Sequence, residues 1–132
     1  MFEIILTSFL VLLILGLLGT FVYIELNQKN LDPKIIKTAN QKIKETESLD
    51  PNLSLIESHK IMTNTLKTVF KNKKMTSAKM LNKVSKKFKD EKEFWYYHRM
   101  RNRAAHENDF KISTRDASKA RKIFQEALSS CK

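Results

Sequence analysis

Twenty-one consecutive residues near the N-terminus, Ile4 to Ile24, carry no charge and are almost all apolar. At about 1.5 Å per residue, a helix of that length covers roughly 30 Å, the hydrocarbon thickness of a bilayer. The flanks argue for an uncleaved anchor over a signal peptide. Met1, Phe2 and Glu3 supply no basic n-region, the apolar core is too long, and no alanine for a cleavage site precedes Ala39. No cysteine lies near enough for a lipoprotein signal. The segments predicted are an anchor over residues 1–26, a short linker over 27–32 and a helical domain over 33–132.

Orientation follows from the lysines. None precedes the run, whereas Lys29, Lys34, Lys37, Lys42 and Lys44 follow it closely. The bias of basic residues toward the cytoplasm predicts a single-pass protein of the cell membrane, N-terminus outside and C-terminal domain inside. Tyr23 then sits at the inner interface. Gly16 and Thr20 form a small-xxx-small pair through which two spans can approach.

Beyond the run the chain is strongly basic. The first 26 residues hold two of the 14 acids and none of the 25 lysines and arginines. The remaining 106 residues therefore carry a net +13, 25 cations against 12 acids. From Ser58 to Lys89 there are ten lysines and no acid. Such a field attracts RNA, DNA or an anionic membrane surface, although a solvated lysine face reads the same way in sequence.

Both glycines, Gly16 and Gly19, lie inside the apolar run. Without glycine the rest of the chain offers no phosphate-cradling loop and no dinucleotide-binding turn, which need backbone that glycine alone permits. One cysteine, Cys131, excludes an intramolecular disulfide framework and a cysteine zinc cage. His59, His98 and His106 are too scattered for a metal motif, so neither a metal nor a cofactor is expected.

Helical periodicity accounts for the remainder. Asp32-Pro33 is a helix start, and Ile35, Ile36, Ala39 and Ile43 share one face until Asp50-Pro51 interrupts it. A second helix runs from about Leu53 to Phe70, with Leu55, His59, Met62, Leu66 and Val69 at helical spacing, His59 reading as a core histidine. Thr76 or Ser77 caps a third with Met80, Leu81, Val84 and Phe88. A fourth starts near Asp90 and holds Phe94, Trp95, Tyr97, Met100, Ala104 and Ala105. Ser113 to Asp116 forms a capping box for a fifth that buries Ala117, Ala120, Phe124, Ala127 and Leu128. The predicted class is all-α, an N-terminal transmembrane helix followed by a compact antiparallel bundle of about five helices. So small a core gains from dimerisation.

The densest polar cluster is in the fourth of these helices, His98-Arg-Met-Arg-Asn-Arg-Ala-Ala-His-Glu107. Asn102 and His106 lie four apart on one helical face, so the amide can orient the imidazole. Arg101 is offset from His106 by about 140°. One copy is therefore a poor closed site, whereas two copies facing across a dimer axis can converge.

These residues resemble the HEPN family, small helical bundles marked by an arginine and a histidine separated by four to six residues, commonly with Asn or Asp after the arginine. Arg101, Asn102 and His106 match that motif. Leu55-Ile-Glu-Ser-His-Lys-Ile-Met, with Leu66 one turn on, is similar to an earlier helix of the family. The resemblance covers Ile35 to Cys131 and leaves the anchor outside. It implies a metal-independent endoribonuclease acting as a homodimer, in a toxin, defence or RNA-processing role. Arg101, Asn102 and His106 would be catalytic, and Arg99, Arg103, Lys79, Lys83, Lys86 and Lys87 would guide the RNA. The resemblance leaves room for an antitoxin or other protein partner, which the sequence does not identify. A different class stays open beside it: a non-catalytic, membrane-tethered helical module that dimerises and binds a protein or polyanion.

Overall fold

The computed structural model describes residues 1–26, 31–70 and 75–131. Residues 27–30 of the expected linker, and Lys71, Lys73 and Lys74 of the acid-free stretch, lie outside the described residues. Among the described residues six α-helices follow one another: α1 (Phe2–Leu26), α2 (Pro33–Glu45), α3 (Pro51–Val69), α4 (Ser77–Ser85), α5 (Glu91–His106) and α6 (Thr114–Ser129). A single 3-10 turn, Thr46–Ser48, joins α2 to α3. Among the described residues there is no strand.

Helix α1 is long and apolar enough to cross a membrane. Residues Glu3–Tyr23 have a mean hydropathy of 2.6, and none of this segment is buried in the protein. Its apolar side chains point in every direction, so no one-sided contact could cover them. A Cβ at Gly16 would meet open space.

The bundle helices begin where short polar side chains can hold the first free amides. Asp32 accepts from the Lys34 amide at 2.8 Å and Asp50 from the Asn52 amide at 3.0 Å, each followed by proline at the first helical position. Thr76, Asp90 and Ser113 cap α4, α5 and α6 in the same manner. The periodicity placed the start of α3 near Leu53; Pro51 already lies inside it, as its fixed φ allows.

Helix α3 is the centre of the bundle and packs against α2, α4, α5 and α6. Its Leu55, Met62 and Leu66 are fully buried, together with Ile43, Val84, Phe94, Phe124 and Leu128 from the helices around it. Two polar devices fix neighbouring segments onto α3. Asn52 donates from Nδ2 to the Phe110 carbonyl at 2.6 Å and accepts at Oδ1 from the Ile112 amide at 2.9 Å, clamping the α5–α6 connection. Arg121, 8% exposed among the apolar residues of α6, donates to Ser54 Oγ at 2.9 Å and pairs with Glu47 at 3.4 Å.

The two ends of the bundle's chain meet. Leu31 is buried, its amide donating to the Cys131 carbonyl at 2.6 Å, while Asp32 serves as the cap of α2.

Candidate functional site

Burial of Phe94 and Tyr97 orients α5 and turns its His98–Arg101–Asn102 flank toward α3. There α3 presents His59 and Thr63, four residues apart on one face. The result is a continuous line of hydrogen bonds between two helices.

The direction of each bond can be worked out from one end. A guanidinium only donates, so Arg101 Nη1 donates to Asn102 Oδ1, at 3.2 Å. That leaves the Asn102 amide nitrogen facing His98 Nε2 at 3.4 Å, where the ring nitrogen must accept. A neutral His98 then carries its proton on Nδ1 and donates to His59 Nε2 at 3.0 Å. His59 in turn carries its proton on Nδ1 and donates to Thr63 Oγ1 at 3.3 Å. The Thr63 hydroxyl ends the line by donating to the His59 carbonyl at 2.7 Å.

Both imidazoles must be neutral for this line to close, and their surroundings keep them so. His59 is 6% exposed and meets the Phe124 ring edge-on at 5.2 Å. Burial first, then electrostatic coupling to His98 and the charge of Arg101, push its pKa down to about 3. His98 lies half-buried against the edge of Trp95, and its pKa is lowered by burial, then by Arg101 and Arg99. Trp95 is itself held by a hydrogen bond from Nε1 to Glu91 Oε1 at 3.3 Å.

Arg101 heads the line and is half-buried. Its Nε is shielded from solvent and has no hydrogen-bond partner, and among the described residues no carboxylate pairs with it. Its charge is balanced by no carboxylate among the described residues, and an incoming anion would supply the missing partner.

The other expected site residues are distributed around this line. His106 is the exposed last residue of α5. The Asn102 amide bonds back to His98, four residues earlier, and not forward to His106. Arg99 is exposed. Arg103 is tied to Glu107, with Nε at 3.0 Å and 3.1 Å from the two carboxylate oxygens, and lies 4.4 Å over the Phe110 ring. Lys79 and Lys83 are exposed on α4, Lys86 follows its last turn, and Lys87 Nζ donates to the Ser130 carbonyl at 3.4 Å. The structure thus brings Arg101 and Asn102 together and adds His98, His59 and Thr63, which sequence reasoning did not place in the site.

Among the described residues no group of three or more His, Cys, Asp or Glu side chains is arranged to hold a metal ion. No family model, curated protein or solved structure matches the chain.

Proposed function

We propose that this chain is a membrane-anchored, metal-independent endoribonuclease of the HEPN type that acts as a homodimer, its bundle in the cytoplasm. One observation carries the reading: Arg101 is a half-buried guanidinium that no carboxylate among the described residues pairs with, beside two imidazoles that burial keeps neutral. A phosphodiester is the anion that best fits a planar donor fork on so basic a surface.

In the proposed reaction the ribose 2′-hydroxyl attacks the adjacent phosphorus. The P–O5′ bond breaks, leaving a 2′,3′-cyclic phosphate on one product and a 5′-hydroxyl on the other. Arg101 stabilises the charge gathering on the non-bridging oxygens. His106, exposed to substrate, takes the 2′-hydroxyl proton, and His106 of a second copy returns one to the departing 5′ oxygen. Asn102 fixes the guanidinium, and the neutral His98–His59 pair holds Asn102. Arg99, with Lys79 and Lys83, guides the strand, and Arg103 contributes less because Glu107 already balances its charge.

One feature favours the second reading, a tethered binding module. Among the described residues no side chain hydrogen-bonds His106, and the Asn102 amide is engaged with His98. Cleavage of single-stranded RNA in EDTA separates the two. The nuclease reading expects cutting by the wild type, none of DNA, and none by His106→Ala, with RNA binding nearly unchanged in that variant. Arg101→Ala should also abolish cutting and weaken binding by about one phosphate contact. Binding without cutting by the wild type would assign the chain to the module class.

A further inference from the structure

The end of the bundle where Leu31 meets Cys131 is tethered close to the anchor. Five residue steps separate Leu26, the last residue of α1, from Leu31, and a fully extended chain spans at most about 18 Å over that distance. Leu31 is in turn bound to Cys131, and Lys87 reaches the neighbouring Ser130 carbonyl. Lys87 also lies near enough to the Cys131 thiol for its charge to act on it. Whatever path residues 27–30 take, this end cannot be far from the headgroups if α1 crosses a bilayer.

Lysines outnumber acids there. Lys34 and Lys37 are exposed on the first turns of α2, and Lys86 and Lys87 are exposed just beyond α4. Three acids accompany these four lysines: Asp32 caps α2, Glu91 lies near enough to Lys86 for the lysine's charge to act on it, and Glu126 is exposed on the last turn of α6. Helix α4 ends at this point, so Lys79 and Lys83 recede from it along the helix axis by about 1.5 Å per residue.

We propose that Lys34, Lys37, Lys86 and Lys87 form a docking surface for anionic phospholipid headgroups, which seats the bundle on the membrane beside its own anchor. The proposal rests on α1 being a span. It divides the basic surface: Lys86 and Lys87 face lipid, and Lys79 and Lys83 remain for RNA. The attraction per juxtamembrane lysine corresponds to about a fivefold change in the docked population. The interaction weakens steeply with salt, because at 1 M the Debye length shrinks to about 3 Å.

The test uses the full chain in nanodiscs of phosphatidylcholine, with and without phosphatidylserine, and measures the acylation rate of each lysine by mass spectrometry. Lys34, Lys37, Lys86 and Lys87 should react several-fold more slowly in the anionic discs, with the difference lost at 1 M salt. Lys111, in the connection clamped by Asn52 beside the start of α3, is the internal control and should not change. Combined Lys86→Glu and Lys87→Glu should restore fast acylation of Lys34 and Lys37 while the chain stays in the disc. Equal rates in the two lipids overturn the proposal. So does protection of Lys86 and Lys87 by polyuridylate but not by lipid, which would give that surface to RNA. A chain that elutes apart from both kinds of disc refutes the span, and the docking surface with it.

Discussion

Lowering the pH from 7 to 5 should destabilise the bundle by about 2 kcal/mol, chiefly through one imidazole. His59 has a pKa of about 3 in the folded chain against 6.5 when unfolded. Below pH 6.5 the unfolded state binds a proton that the folded state refuses, so stability is complete above 6.5 and is lost as the pH falls toward 3. His98, also lowered, adds a loss of the same sign. Carboxylates stay largely ionised down to about pH 5, which makes this window diagnostic for the histidines. For a domain of this size the loss corresponds to a fall in Tm of about 10 °C. The assay is thermal unfolding of the full chain in detergent micelles, followed by fluorescence of Trp95, the sole tryptophan, which packs on His98. His59→Gln should be less stable at pH 7 and show a much flatter dependence on pH. A wild-type Tm that is level or rises between pH 7 and pH 5 would refute the neutral-pair geometry.

Three further outcomes follow from the same structure. Asn52→Ala leaves the Phe110 carbonyl and Ile112 amide unpartnered and should cost about 2 kcal/mol, with faster hydrogen exchange at Ile112. A reporter fused after Lys132 should behave as cytoplasmic, and the protein should stay with membranes through a high-salt wash; release by salt alone would contradict the span. Light scattering of the chain in micelles should show a dimer that persists when Gly16→Leu disrupts close approach of the spans, whereas a monomer would leave His106 without a partner copy.

Much of the fold could be read residue by residue, because its signals are local. Asp32-Pro33, Thr76, Asp90 and Ser113 each cap their helix with a side chain two or three residues from the amide it holds, whereas Asp50-Pro51, legible as a break, also starts α3. The site was harder, since its decisive contacts join distant segments. Helical spacing allows Asn102 to turn toward either His98 or His106. The choice depends on where α3 places His59, 39 residues from His98 in sequence. His59 was legible as buried but not as one of a pair. Arg121 had no signal among its alanines, because the groups that satisfy it, Ser54 and Glu47, belong to other elements. Arg103 looked like a free cation until Glu107 was seen to fold back on it.

The most direct test of Arg101 and His106 as a ribonuclease site uses a DNA oligonucleotide carrying a single ribonucleotide, incubated with the full chain in EDTA. One cut is expected, immediately 3′ of the ribose, giving a 2′,3′-cyclic phosphate and a 5′-hydroxyl by mass spectrometry, and no cut with Arg101→Ala or His106→Ala. Products with a 3′-hydroxyl and a 5′-phosphate, a cut that needs added magnesium, or undiminished cutting by His106→Ala would contradict it.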